Sequence, residues 1–339
     1  MLSNSPTARA EGKDPEVAVP SIFLLVHESR SGSTFLADLL SRHPEVSIAP
    51  ESSLLRNVWR WNKQTSSSHI ETQHELADLL DHLFRDPKLR SWGIDPGIMM
   101  SRFSSRLPVP TGSIPRCILV EYGRLRHPGS TIYGVKRGGW NSFNLRRVRA
   151  LLPGVQVIHI VRDGRAVYAS EKRAVHHRTG RAFQKSPGAA AWRWAKIIHS
   201  FQQVEEAGLE VRYEELIRSP NMVLTRLLEF LRRDATPGVV DTMLRPHTSD
   251  YVPPYVAQLH TNVGKQPLVD RIDGWKTELS PGEIRAFERV AGRSLLEKGY
   301  PLLTPKHRSD ALFRRAVDLQ QRLNRRLGPH RWRKSKRDD

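Results

Sequence analysis

The sequence predicts an α/β fold of three layers, a central parallel sheet flanked by helices. Three observations predict it. An apolar run, Ile22 to Val26, passes through a short loop of small hydroxylated residues into an apolar-periodic helix at Thr34–Leu40. The same order returns at Val155–Val161, followed by Arg162–Ser170. It returns again at Leu209–Arg212, followed by Tyr213–Leu216. Strands that alternate with helices pair in parallel, and their right-handed crossovers cover both faces of the sheet.

Residues 20–51 form the first strand–loop–helix unit and end on a short apolar strand, Val46–Ala49. Residues 52–112 read as mainly helical, with a helix over Ser52–Arg60 and another from about Glu71 to Phe84. Asp86-Pro87 stops the second helix, because the residue before a proline is pushed out of the helical region. Leu107–Pro115 is proline-rich and reads as a connecting loop. A helix over Pro115–Arg126, a strand over Ser130–Lys136 and a helix over Leu145–Leu152 follow. Arg271–Ile284 is a basic, aromatic loop that enters a helix. In Pro305–Asp339, Leu312, Phe313, Val317, Leu319, Leu323 and Leu327 fall near helical spacing with arginines between them, and a basic run, Arg331–Arg337, follows. The resulting division is a flexible leader (1–19), a main domain (20–304) with a helical region at about 52–130, and a basic helical tail (305–339).

The chain has 339 residues, of which 38% are hydrophobic and 26% charged, enough to build one sizeable core. Its single cysteine, Cys117, excludes an intramolecular disulfide and suits a reducing setting. No apolar stretch approaches the length of a membrane span. Residues 1–19 lack the apolar segment of a secretory signal. The expectation is a cytoplasmic chain whose tail is a helix packed on the domain with a frayed, charged end. Contact of that basic tail with the anionic inner face of a membrane, or with a polyanion, is the alternative. The net charge of +19 points to an acidic partner (a polyanionic glycan, an anionic membrane or nucleic acid) or to a solvated, arginine-rich surface. Oligomeric state is not legible.

The loop Arg30-Ser-Gly-Ser-Thr34 carries the chemistry. A strand that turns into a helix aims backbone N–H groups and the helix dipole at one spot, which favours an anion. Arg30 can place two N–H groups on phosphate or sulfate oxygens. Gly32 lets the backbone approach a ligand, Ser31 belongs to the same cradle, and Ser33 and Thr34 add hydroxyls at the helix start. The sequence is not a Walker A motif, since the cation precedes the glycine. A plain turn with Thr34 as N-cap has the same local pattern. Arg162 and Ser170 form a second cationic cradle at the carboxyl end of another strand, where open α/β sheets bind ligands. Arg271 and Lys276 are further candidate clamps for a phosphate.

These motifs resemble the sulfotransferase superfamily that uses 3′-phosphoadenosine 5′-phosphosulfate (PAPS), whose fold is P-loop-like. The resemblance runs in order over about residues 20–304. It implies that Arg30–Thr34 binds the 5′-phosphosulfate, Arg162–Ser170 the 3′-phosphate, and that Tyr213–Leu216 lies near the adenine. Trp275-Lys276, Leu279-Ser280 and Leu296–Tyr300 resemble the family's C-terminal segment. The arginine form of the loop is the one usual in bacterial, carbohydrate and tyrosyl-protein members. The resemblance implies PAPS as donor, adenosine 3′,5′-bisphosphate as product, and no metal.

Sulfuryl transfer needs fixed donors for the nucleotide, cations for the charge that develops, and a base for the acceptor proton. Arg30 suits the leaving side. Lys136 resembles a central-strand lysine that relatives place at the sulfuryl group, although Arg137 stands where a proline often follows; a strand-end lysine facing water is the alternative. Cytosolic members take a histidine base just after that lysine, and here Gly138 stands there. Glu51, behind His43-Pro-Glu-Val46, resembles the glutamate base of the arginine-loop members, and a helix N-cap is its alternative role. A partly buried carboxylate there would be pushed up by burial and pulled down by nearby cations. His27 and Glu28, just before the loop, read as strand-end filling, with contact to acceptor or cofactor as the alternative. His176 and His177 have no companion ligands at metal spacing. Trp59, Trp61, Trp92 and Trp140 suit either stacking on a sugar acceptor or packing in the core. The acceptor is expected to be a hydroxyl or amine of a carbohydrate, glycolipid, natural product or protein, with an anionic or carbohydrate acceptor favoured by the charge. A P-loop nucleotide kinase or NTPase and a non-catalytic polyanion-binding protein are the competing functions.

Overall fold

The structure, a computed structural model, describes residues 20–174, 186–204, 206, 208–249, 251, 263, 269–305 and 310–334, the last helix with side chains to residue 323. The leader, His176, His177 and the side chains of Arg331–Arg337 lie outside the described residues. The strands are β1 (Ser21–His27), β2 (Val46–Ala49), β3 (His69–Ile70), β4 (Val109–Pro110), β5 (Ile132–Lys136), β6 (Gln156–Val161) and β7 (Gly208–Arg212). Five of them form one parallel sheet in the order β2-β5-β1-β6-β7. β3 and β4 form a separate antiparallel pair.

The apolar run of β1 is buried on both faces, which is why it reads as continuous rather than alternating. Ile22, Leu24 and Val26 pack with the helices of the 52–130 region, Leu54–Thr65, Gln73–Phe84 and Ser113–Arg126. Phe23 and Leu25 pack on the other face with helices Ser33–Ser41 and Pro220–Phe230. Fully burying one such leucine or phenylalanine contributes about 1.5–3 kcal/mol. A third apolar cluster joins Val161 and Tyr168 to Trp194, Trp275 and Phe287, and so fastens the C-terminal helices to the end of β6.

Element boundaries follow local chemistry. The helix expected from about Glu71 starts at Gln73, because Thr72 and Glu75 form a capping box. The helix expected from Pro115 starts at Ser113, since a proline in the first turn lacks only an N–H that would have had no helical partner. The last helix, Asp310–Lys334, runs through Gly328-Pro329. No described helix is long and apolar enough to cross a membrane.

The chain leaves β1 toward one side for β2 and β5, then returns to the other side for β6 and β7. That reversal opens a crevice beyond the carboxyl end of β1. Leu25 is level with Lys136 and His27 with Ile160, so the loop after β1, Lys136 and Arg162 all emerge at that crevice.

Candidate active site

Gly32, not Thr34, occupies the N-cap position of helix Ser33–Ser41, in the left-handed region at φ 89°. Arg30 also has a positive φ, 64°. This gives the loop a sharp turn that an L-residue adopts only at a cost of roughly 1–2 kcal/mol. A Cβ on Gly32 would come within 2.4 Å of the Tyr213 ring. The Ser31 hydroxyl is spent inside the loop, donating to the Glu28 carbonyl at 2.7 Å. Ser31, Ser33 and Thr34 are buried.

The two cationic motifs meet. Arg30 Nε donates to Ser170 Oγ at 3.2 Å. Arg162 donates to the carbonyls of Arg30 at 3.2 Å and Arg271 at 2.5 Å. Its guanidinium lies 4.3 Å from the centre of the Tyr213 ring. The cradles expected at opposite ends of a nucleotide are therefore in direct contact here. Burial, and then the nearby Arg162 charge, lower the Arg30 pKa from its ordinary value. Cations held this close together favour an anion between them. Arg162, Arg173, Arg271, Asp270, Trp275 and Glu278 help to line an adjoining cavity of about 340 Å³. Lys276 is not among its lining residues; its ammonium pairs with Asp273 at 2.8 Å, one helical turn away. Arg173, which the sequence reading did not single out, does line it.

Lys136 does not face water. It is buried, donates to Thr34 Oγ1 at 2.8 Å and lies 3.7 Å from Glu51. Glu51 stands at the end of β2 with one third of its side chain exposed. It also meets His27 at 3.4 Å, Arg137 at 3.6 Å and Lys88 at 3.8 Å. Burial pushes its carboxyl up, but His27 and the charges of Lys136 and Lys88 outweigh that and hold it well below the usual carboxylate range. Glu51 does not cap the next helix; Ser53 holds the N-cap position, and Leu54 N–H donates to Ser52 Oγ.

Several contacts escaped the sequence reading. His27 Nδ1 donates to the Glu28 carbonyl at 3.0 Å while Nε2 faces Glu51, so this strand-end residue belongs to the site. Arg193 clamps Glu28 at 3.1 Å and Glu171 at 2.5 Å behind the loop. Arg165, within the second motif, is a foundation rather than a ligand. It is 1% exposed and tied to Asp163, Glu288 and the Pro301 carbonyl. Glu214 accepts from the Asp163 N–H and the Tyr300 hydroxyl, both at 3.0 Å, which joins three of the motifs. Trp92 is core, packed on Tyr122, whereas Trp59 and Trp140 form a half-buried pair 5.3 Å apart. Among the described residues no cluster of His, Cys, Asp and Glu is arranged to hold a metal ion.

The residues present fit a nucleotide with two anionic groups. Arg162, which lines the adjoining cavity, keeps a buried Nε with no hydrogen-bond partner among the described residues. The glycine of the loop also brings the backbone against Tyr213, leaving no room for a side chain.

Known proteins resemble the chain in sequence and in fold. A family model described as Sulfotransferase family matches residues 20–237. Carbohydrate sulfotransferase 5 of Mus musculus is 22% identical over 327 residues, spanning 82% of this chain and 80% of that protein. The sulfotransferase domain from the curacin biosynthetic pathway superposes with a TM-score of 0.55 at 19% identity, covering 84% of this chain and 99% of that domain. The sulfotransferase domain of the Synechococcus PCC 7002 olefin synthase gives 0.50 at 21% identity, covering 81% and 96%.

Proposed function

This chain belongs to the sulfotransferase family, and from that premise we propose that it moves the sulfuryl group of PAPS to an acceptor hydroxyl or amine with Glu51 as base. PAPS use is the general property of the family. The observation that carries the assignment of residues is the contact between Arg30 and Ser170, which unites the two anion-binding motifs at one crevice.

The residues divide by position. Arg30, the backbone of Ser31–Thr34 and Lys136 hold the phosphosulfate end. Arg162, Ser170, Arg271 and Arg173 hold the 3′-phosphate, and Tyr213 packs against both the glycine and Arg162. Arg30 and Lys136 are the cations placed to stabilise charge on the transferring group and the leaving oxygen. Glu51, 3.7 Å from Lys136, is placed to take the acceptor proton as the oxygen attacks in line. Its low pKa keeps it ionised at neutral pH but weakens it as a base. Its basicity rises as ligands draw the surrounding cations away.

Thermal stabilisation tests the donor. Adenosine 3′,5′-bisphosphate at about 100 times its Kd should add about 2.7 kcal/mol of stability. ATP with magnesium should add much less. The reverse order would favour a nucleotide kinase and discard the donor assignment.

The tail has a separate reading. In helix Asp310–Lys334 both aspartates of the described part face the body, Asp310 bonding to Arg289 and Asp318 to Trp192. Leu312, Leu319 and Leu323 are exposed on the opposite face beside Arg315 and Arg322. An apolar stripe flanked by arginines suits an anionic lipid surface.

A further inference from the structure

Glu51 divides the cations around it into two sets. Its Oε1 faces His27 and Lys136. Lys136 is bonded to Thr34, so this set belongs to the donor loop. Its Oε2 faces Arg137 at 3.6 Å and Lys88 at 3.8 Å. Among the described residues no hydrogen bond or ion pair ties the side chains of Lys88 or Arg137 to the donor loop. Lys88 comes from the helical region between β2 and β5, remote in sequence from both nucleotide motifs.

Two more arginines extend the second set. Arg56, on helix Leu54–Thr65, donates through Nη2 to Ser53 Oγ at 3.0 Å, while its Nε is buried with no partner among the described residues. Ser53 N–H in turn donates to Asp86, whose other oxygen accepts from the Lys88 N–H at 3.1 Å, so Arg56 and Lys88 flank one carboxylate; burial, then the charges of Arg60 and Arg137, lower the Arg56 pKa. The nearby carboxylates are Glu51, already shared with Lys136 and His27, and Asp86, which accepts from the Ser53 N–H at 2.6 Å. Among the described residues, four cations on this side have two carboxylates near them, one of them shared. Like charges gathered in a partly desolvated wall are unfavourable until an anion joins them. Lys88 is 46% exposed and Arg137 17%, so the wall is open to a ligand from solvent.

We propose that the acceptor carries an anionic group, a phosphate or a carboxylate, which docks on Lys88, Arg137 and Arg56 while its hydroxyl is presented to Glu51. This rests on the sulfotransferase reading of the site. Docking has a second effect. An anion that engages Lys88 and Arg137 releases Oε2 of Glu51 to accept the acceptor's proton. A neutral acceptor leaves that oxygen held, so the same contacts that choose the substrate also ready the base.

The test uses the full chain saturated with adenosine 3′,5′-bisphosphate, with that binding measured first. Phenyl phosphate, benzoate and benzyl alcohol are then titrated and followed by NMR. At least one of the two anions should bind about tenfold or more tightly than the alcohol, and the tighter of them identifies the oxyanion. Lys88→Ala combined with Arg56→Ala should weaken that anion about tenfold, with the bisphosphate affinity unchanged. Lys88 is half-exposed and Arg56 part-buried, so a circular dichroism melt must first show the double variant folded, and Lys88→Ala alone should weaken the anion in the same direction. Equal binding of the alcohol, anion binding indifferent to the substitutions, or anion binding displaced by the bisphosphate each overturns the inference. Failure of the wild-type chain to bind the bisphosphate overturns the donor-site reading instead.

Discussion

Replacing Glu51 by glutamine keeps the shape of the side chain and removes the one negative charge held among His27, Lys136, Lys88 and Arg137. A positioned base contributes about 10²- to 10⁴-fold to a rate, which is about 3–5 kcal/mol of barrier at about 1.4 kcal/mol per decade. Turnover of Glu51→Gln should fall by that factor, measured as transfer of radiolabelled sulfate from PAPS. Affinity for adenosine 3′,5′-bisphosphate should hold or tighten in calorimetry, since Lys136 loses a competing carboxylate. Stability gives an independent check. The folded pKa of Glu51 is depressed, so its contribution is present above the unfolded value of about 4.3 and is lost as pH falls through the lower folded value. The variant should therefore melt below wild type at pH 7, and the gap should close toward pH 3. Unchanged turnover would discard Glu51 as base. Parallel losses of turnover and bisphosphate affinity would reduce it to a structural residue.

Arg162→Ala should weaken adenosine 3′,5′-bisphosphate by about 10- to 100-fold, the loss of a charge-assisted contact, and AMP far less; equal losses in calorimetry would misplace the 3′-site. Gly32→Ala meets both a positive φ and the Tyr213 ring, so it should lower the melting temperature and the bisphosphate affinity together, and a normal melt with normal binding would contradict the close packing. Burial pushes the Glu171 carboxyl up to about 7, with Arg193 opposing it and Glu28 adding to it. A raised folded value means stability that is full below about 4.3 and lost as pH rises through about 7. The melting temperature of Glu171→Gln relative to wild type should thus climb from pH 5 to pH 8, and a flat difference would refute the assignment. Leu319→Glu should abolish co-sedimentation with vesicles containing phosphatidylserine and leave neutral vesicles unaffected; sedimentation that survives the substitution would remove the lipid reading of the tail.

Much of the fold was legible because β1, β2 and β6 are short apolar runs bounded by turns, and each is followed by a helix with its own apolar spacing. The two nucleotide motifs were legible because their chemistry is local, with Arg30 to Thr34 and Arg162 to Ser170 each folding as one strand-to-helix turn. Contacts made across the chain were not. Lys88 reaches Glu51 from a four-residue helix, Pro87–Arg90, that carries no motif. Arg193 meets Glu28 and Glu171 only because its helix, Pro187–Gln202, crosses behind the loop. Lys276 pairs with Asp273 three positions away, a local contact that the sequence spacing allows but does not single out. The pattern shows only that Arg165 is charged. Its burial between Asp163 and Glu288 depends on residues more than a hundred positions apart.

Glu214, Arg165 and Tyr300 carry a practical consequence for where the working unit ends. The family match stops at residue 237, yet Glu288, Tyr300 and the Pro301 carbonyl are bolted beneath the second motif. Trimming the chain at 237 would leave Arg165 with Asp163 alone, without Glu288, and lay bare the indole of Trp194, whose N–H donates to the Arg162 carbonyl at 3.0 Å. Activity should therefore demand everything through about Thr304, whose hydroxyl and N–H close on Glu288 as the last stitch of that foundation.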